Sequence, residues 1–252
     1  MPKLDRIQHP SHPAHPLHHK PIETLYKCDG CKQLGFEMCY RCKRCDFQLH
    51  KHCARACDTI YHPFFPKHTL VFRDHPPNHI RSCEACGDSV LGFRYKAWRW
   101  NAYGWPNPFL RLLQHLTQKA LHPSCASLPP TLTAMGDNST RLELRLDKLK
   151  SKRQRPWCEI CSNEGYSRGV KGWAYVSSCG RFIFHVACVK QRMEEDWENR
   201  SLKKWQQKKK MVLTTGLTAA RVALELIIDA ILGFPIKSVG KLAESLLGEK
   251  EP

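Results

Sequence analysis

The pentapeptide LHKHC, residues 49–53, decides how the rest of the chain is read. Alone it is a small basic patch ending in a cysteine. Its His-x2-Cys spacing, however, returns in LHPSC at 121–125 and in FHVAC at 184–188, and each copy lies downstream of a Cys-x2-Cys. Chance placement at this His and Cys content gives about one such spacing; three occur. A Cys-x2-Cys turn directs two thiolates at one ion, and a His-x2-Cys supplies the two further donors that close a tetrahedral zinc site.

Composition supports crosslinked modules over a large apolar core. The 252 residues include 14 Cys, 14 His and 17 Pro, a balance that buries little apolar surface and needs metal or covalent staples. The N-terminal MPKLDRIQHPSHPAHPLHHK has no apolar segment of the kind a secretory signal requires, so a reducing intracellular compartment, cytoplasm or nucleus, is expected, where cysteines serve as metal ligands. The formal charge of +17 points to acidic partners. It does not by itself argue for specific nucleic-acid recognition, because Lys and Arg are spread through every segment.

In the first module the order is Cys28-x2-Cys31, Cys42-x2-Cys45, His50-x2-Cys53, preceded by His15-Pro16-Leu17 and carrying Tyr40, Asp46, Phe47, Leu49 and Ala54 around the ligands. This arrangement resembles the plant cysteine/histidine-rich DC1 domain, a divergent relative of the C1 domain. The resemblance implies interleaved sites: Cys28, Cys31, His50 and Cys53 on one zinc, and His15, Cys42 and Cys45 on a second. For the fourth ligand of that second site His62 is favoured, with Cys57 as the competitor; Cys39 is read as a plain thiol. Two ions that tie distant segments together fix a small antiparallel sheet with little core.

A second module opens with His68-x-Leu70, Cys83-x2-Cys86 and GFRYK, 92–96, then departs from the pattern through 97–120 and rejoins it at His122-x2-Cys125. Thirty-five residues separate Cys86 from His122, against 18 between Cys31 and His50. Cys83, Cys86, His122 and Cys125 form one complete set, while the companion site lacks its thiolates, leaving His68 stranded and His115 a poor substitute. In the third module Cys158, Cys161, His185 and Cys188 form one set; Cys179 has no paired cysteine, so a second zinc is lost there also. Three to four zinc ions per chain follow.

The fold class expected is a tandem of small zinc-stabilised modules, short antiparallel β with a short C1-like helix, followed by a helical C-terminal tail. The boundaries are a disordered His/Pro-rich arm at 1–14, modules at 15–66 and 67–128, a linker and strand at 129–156, a third module at 157–190, and a tail at 191–252. In the tail, KQRMEEDWENRSLKKWQQKKK (190–210) reads as a solvated helix, and LTAARVALELIIDAILGF (217–234) as an apolar helix striped by Arg221, Glu225 and Asp229. Packing against another helix or a partner is the preferred role of that helix. Contact with an anionic membrane surface through 203–234 is the alternative, and three charges argue against a span.

Zinc held by four protein ligands has no open position for water or substrate, and no phosphate-binding Gly loop, hard-metal carboxylate cluster or activated nucleophile is evident. A non-enzymatic binding module is therefore expected, and the resemblance to the DC1 domain implies a signalling role through contacts with other proteins. The competitors are a protein-disulfide reductase using a Cys-x2-Cys, disfavoured because a metal-bound thiolate is a poor redox nucleophile, and a lipid-binding module of the diacylglycerol type, disfavoured by the short segment 32–40 with its acidic Glu37.

Overall fold

The computed structural model describes residues 6–98, 119–134, 137–146, 158–161, 172–199 and 219–233. Two compact units are present, Met1–Glu84 with Asp88–Ser127, and Ala85–Gly87 with Leu128–Pro252. The chain forms three antiparallel sheets, each of four strands in simple sequential order. The first comprises β1 (Arg6–His9), β2 (His12–Lys27), β3 (Leu34–Cys42) and β4 (Gln48–Leu49). The second comprises β5 (Thr59–Ile60), β6 (Thr69–Arg73), β7 (Arg94–Trp98) and β8 (Ala120–Leu121), and the third β9 (Thr131–Ala134), β10 (Asp137–Leu146), β11 (Trp173–Ser177) and β12 (Ile183–His185). A helix follows each sheet: α1 (Lys51–Ala54), α2 (Pro123–Ala126) and α3 (Val186–Asn199). The last helix among the described residues is α4 (Ala219–Leu232).

Strand register shows that the three sheets are copies of one plan. A buried tyrosine of the third strand pairs in turn with Leu49, Leu121 and Phe184, the residue immediately before each His-x2-Cys: Tyr40↔Leu49, Tyr95↔Leu121 and Tyr175↔Phe184. Two rows away, Ile7↔Leu17↔Cys42, Ile60↔Leu70↔Ala97 and Leu132↔Leu142↔Ser177 align across each sheet. Leu17, Leu70 and Leu142 are fully buried. Because side chains alternate across a strand, these rows are the apolar face that each small sheet possesses. Tyr95 and Tyr175 complete the likeness by donating their hydroxyls to Cys57 O (2.9 Å) and Pro129 O (2.7 Å), each two residues before the first strand of its own sheet.

Within the first unit, the segment before β7 lies on the Cys28–Cys31 turn. Phe93 N donates to Gly30 O (2.9 Å), and the Phe93 ring stacks on His9 (5.9 Å between centroids) and meets Phe72 edge-on (5.6 Å). A Cβ on Gly92 would fall 1.9 Å from Gly30 O, so only glycine permits this approach. Within the second unit the same pattern recurs, with Trp173 N donating to Ala85 O (2.9 Å).

Several boundaries differ from expectation. Residues 6–14 form β1 and the start of β2, not a disordered arm: Ile7 pairs with Leu17, and the ring of His12 stacks on Phe47 (4.6 Å). Residues 131–146 are the first hairpin of the third sheet instead of a linker, so that module begins near 129 and not at 157. The strand expected at 141–150 lies at Asp137–Leu146, with 147–150 outside the described residues. The insert at 97–120 contributes the end of β7 and the start of β8; residues 99–118, including His115, lie outside the described residues.

Of the helices expected in the tail, part is present: α3 begins at Val186 within the third module and covers 190–199 of the first, α4 covers 219–232 of the second, and 200–218 and 234–252 lie outside the described residues. In α4, Ala223, Leu224, Ile227, Ile228, Ile231 and Leu232 are buried, an i, i+1, i+4, i+5 stripe that packs on β9, β10 and α3. Its apolar face is therefore covered inside the second unit. No helix among the described residues is long and apolar enough to cross a membrane.

Candidate metal centres

Each meander carries its Cys-x2-Cys between the second and third strands and its His-x2-Cys at the end of the fourth, so the fold returns the two half-sites to one another. The turn itself is built by the backbone. Cys28 N donates to Gln33 O (3.0 Å) and Cys83 N to Asp88 O (2.8 Å). The residue after the first cysteine then bonds to the strand that ends in the histidine: Asp29 N to Gln48 O (2.9 Å), Glu84 N to Ala120 O (3.0 Å) and Glu159 N to Ile183 O (3.0 Å). The histidine opens the following helix, where Ala54 N reaches His50 O (2.8 Å) and Ala126 N reaches His122 O (2.9 Å). One helical turn puts the next cysteine beside the imidazole.

Three sets result, Cys28–Cys31–His50–Cys53, Cys83–Cys86–His122–Cys125 and Cys158–Cys161–His185–Cys188, with one donor atom from each residue within 4.8 Å of the others. In the first, Cys31 Sγ lies 3.3 Å from His50 Nδ1, while His50 Nε2 donates to Leu34 O at 2.8 Å. That second bond leaves Nδ1 as the ligand nitrogen, the outer-shell arrangement that orients zinc-binding histidines. His122 does the same, with Nε2 3.2 Å from Ser89 O and Nδ1 4.0 Å from Cys125 Sγ. In the third, His185 Nδ1 is 3.5 Å from both Cys161 and Cys188. Tetrahedral zinc with ordinary bond lengths sets sulfur and nitrogen about 3.6 Å apart, so these distances fit the ion.

A fourth set joins His12 and His15 of β2 to Cys42 and Cys45. His15 Nδ1 is 3.3 Å from Cys45 Sγ, and Cys42 N closes the turn on Phe47 O (2.9 Å). His12 Nε2 is buried without a hydrogen-bond partner. The His12 ring hydrogen-bonds Cys42, and one of its nitrogens lies within 4.8 Å of the donor atoms of His15, Cys42 and Cys45, a set of four that suits a metal. The sequence placed His15, Cys42 and Cys45 here and favoured His62, with Cys57 as the competitor, for the fourth ligand, whereas the structure supplies His12. Register corrects this: Ile60↔Leu70 matches Ile7↔Leu17, so His62 is the counterpart of His9 in the next sheet. Both fold their Nδ1 onto the amide two residues on, at 3.2 Å for His9 and 3.1 Å for His62. Cys57 is exposed, and its carbonyl belongs to the Tyr95 bond. The signal for His12 was the period of three in HPSHPAHP, which spacing alone could not orient.

The counterparts of this fourth set are rebuilt without sulfur pairs. In the second sheet Phe65 replaces His12 and Ala97 replaces Cys42, both buried, and the retained His68 packs edge-on against Phe65 (6.4 Å). In the third sheet Ser177 replaces Cys42. Its amide makes the same turn, to Phe182 O (3.0 Å), and its hydroxyl accepts from Phe182 N (3.0 Å) and from the Cys179 thiol (3.4 Å).

Electrostatics match metal sites. Burial alone would raise the Cys28 thiol, but hydrogen bonds from Cys31 and Cys53 and the charge of His50 hold it well below its ordinary value. The Cys188 hydrogen bond is the main influence that holds Cys158 at about 3. Burial likewise opposes, and hydrogen bonds from Arg44 N, His12 and Cys45 override, to bring Cys42 to about 7. Cys86 Sγ accepts from Lys190 Nζ (3.3 Å), both in the second unit. Three of the four sets thus hold a thiol kept below its ordinary value, which favours the thiolate that binds metal. Cys39 is the reverse case: burial pushes its thiol up, and it joins no cluster among the described residues.

Residues 10–54 match the family model described as the C1 domain, a span that contains both ligand sets of the first sheet. Comparison with curated proteins and with solved structures returns no match. Zinc is the metal these clusters suit, at three to four ions per chain.

Proposed function

We infer that this chain, whose residues 10–54 match the C1 domain model, is a non-enzymatic interaction protein that binds partner proteins on zinc-built modules. The observation that carries the reading is the completeness of the clusters: every one has four protein donors. A zinc ion so enclosed has no position for water or substrate and acts as a structural support. Disulfide reduction is unfavourable for the same cysteines, since eight of the nine Cys-x2-Cys and His-x2-Cys thiols in the three-thiolate sets are buried and ligation removes their nucleophilicity. Coverage of the α4 apolar face inside the second unit weighs against its use on a membrane. The reducing compartment expected from composition, cytoplasm or nucleus, is kept as part of this reading.

Two measurements test it. The zinc-loaded chain is expected to add nothing to the rate of insulin reduction by dithiothreitol; an acceleration abolished by Cys28→Ser overturns the non-enzymatic reading. Chemical crosslinking with the intact chain is expected to retain a discrete partner set that disappears after chelation. A set unchanged by chelation, or one that elutes wholly with moderate salt, overturns binding by folded modules.

A further inference from the structure

The outer face of the first sheet carries positive charge that zinc does not require. Three thiolates around a dication leave one negative charge, which nearby cations offset. The set His12–His15–Cys42–Cys45 has two thiolates and two neutral imidazoles, so its zinc complex carries no net charge. Yet basic residues gather beside this site. Register puts Arg6, His18 and Arg41 in one row across β1, β2 and β3, with Lys20 opposite Cys39 in the next row on the same face. Lys43 and Arg44 follow in the turn between the two zinc-binding cysteines. Together Lys20, Arg41, Lys43 and Arg44 line a cavity of about 480 Å³ whose wall also holds Pro21, Ile22, Cys39, Asp46 and the two zinc-ligand cysteines Cys42 and Cys45, so it adjoins the fourth metal set.

One of the four cations is already matched, since Arg41 Nη2 bonds Asp46 Oδ1 at 3.0 Å. Lys20, Lys43 and Arg44 form no ion pair among the described residues. Their field is felt locally: His18 is held below the ordinary histidine value, by desolvation first and then by Lys43, Arg6 and Lys20.

We propose that this cavity binds a phosphate group carried on a side chain of a partner protein. A phosphomonoester brings close to two negative charges and three acceptor oxygens, which suit converging Arg and Lys donors. The site is a single concavity of a size that encloses one side chain with its flanking backbone. A membrane surface is the poorer fit, because such surfaces combine cations with exposed apolar side chains. The large exposed apolar residues among those described are Tyr61, Ile80, Leu91 and Leu146, none of which lines the cavity; its apolar lining is limited to Pro21 and the half-buried Ile22. A nucleic-acid strand would require successive phosphate contacts and stacking aromatic rings, and no aromatic residue lines it. The proposal rests on the reading of the chain as a partner-binding protein and specifies one of its surfaces.

The test uses the full zinc-loaded chain and a degenerate peptide library with a fixed central phosphoserine, alongside the same library unphosphorylated, phosphatidylserine-containing vesicles and a thymidine oligonucleotide. Saturable binding of the phosphorylated library alone is expected, with competition by inorganic phosphate. The double variant Lys43→Ala/Arg44→Ala should weaken it at least about tenfold through loss of two charge-assisted contacts, while Lys67→Ala, an exposed change on the second module, leaves it intact. Zinc content per chain verifies that the double variant is folded. Equal binding of both libraries, preference for vesicles or oligonucleotide, or indifference to the double variant overturns the site. Chelator-sensitive crosslinking is read separately, so this site and the partner-binding reading fail independently.

Discussion

Replacing Gly92 by alanine tests whether the first two modules are held together at the Cys28–Cys31 turn. The new Cβ would lie 1.9 Å from Gly30 O, a backbone atom that cannot rotate away. An ordinary C···O contact needs about 3.3 Å, so the two segments must part by about 1.4 Å. The Phe93 N–H···O=C Gly30 bond at 2.9 Å does not survive that separation. Its net loss, with two backbone groups left poorly satisfied, costs about 1–3 kcal/mol. Partial re-exposure of the Phe93 ring, now 5% exposed, adds about 1–2 kcal/mol. A total near 3 kcal/mol corresponds to about a hundredfold. The readout is hydrogen exchange of the Phe93 amide itself in zinc-loaded protein, at a buffered free-zinc concentration because metal binding is linked to folding. Protection should fall about a hundredfold in Gly92→Ala and hold in Leu91→Ala, whose side chain is largely exposed. Protection within threefold of wild type in Gly92→Ala would refute the docking.

Four further outcomes follow from the same geometry. His12→Ala should lower zinc from four to three per chain by elemental analysis, while His62→Ala keeps four; the opposite result returns His62 to the site. Exhaustive chelation should abolish near-ultraviolet dichroism, because each site contributes on the order of 10 kcal/mol to folding; a spectrum that survives removes zinc as the scaffold. Ser177→Ala, which strips the Phe182 amide of its hydroxyl acceptor, should cost about 1–2 kcal/mol in thermal denaturation, with Ser178→Ala near neutral. Tyr95 is pushed up to about 12, by burial first and then by Cys57. A raised folded value means that its contribution is whole below the unfolded value near 10 and is lost as pH rises from about 10 to 12. The 295 nm absorbance difference between wild type and Tyr95→Phe should therefore titrate near 12, and a transition near 10 contradicts the burial.

What the sequence disclosed was whatever chemistry is local. Cys-x2-Cys and His-x2-Cys each span one turn, so their geometry is set by residues three apart, and all fourteen ligand positions in those spacings assemble into donor sets. What it concealed depended on register. In HPSHPAHP, histidines 9, 12 and 15 are indistinguishable by composition, yet pairing of Ile7 with Leu17 places His9 on Phe93 and His12 beside Cys42. The same run looked disordered because His and Pro contribute little to an apolar pattern; imidazole rings packed on Phe47 and Phe93 supply the burial instead. The stretch SLPPTLTAMGDNST, 127–140, has turn-rich composition, but Thr131–Ala134 is held as a strand by β10, a tertiary pairing that propensity does not report.

The fate of the fourth metal set across the three sheets shows what an ion does for this fold. At the position of Cys42 the backbone turn is the same with sulfur or without it: Cys42 N to Phe47 O and Ser177 N to Phe182 O are both i to i+5. The ion therefore cannot be what bends the chain there. Its role is to bind that turn to the β1–β2 hairpin, and each metal-free copy replaces this link by weaker means. The second sheet fills the space with Phe65 and Ala97 against His68; the third secures the turn internally through the Ser177 hydroxyl. Burial of one aromatic ring contributes about 1.5–3 kcal/mol and one hydroxyl bond about 1 kcal/mol, both small beside a zinc site. Such copies are stable only with support from elsewhere, and both have it, through Phe93 at the Gly30 carbonyl and Trp173 at the Ala85 carbonyl. The first sheet keeps both four-donor sets and, among the described residues, inserts no strand segment of its own into another Cys-x2-Cys turn. Metal ligation and docking are thus alternative ways to hold the same small meander.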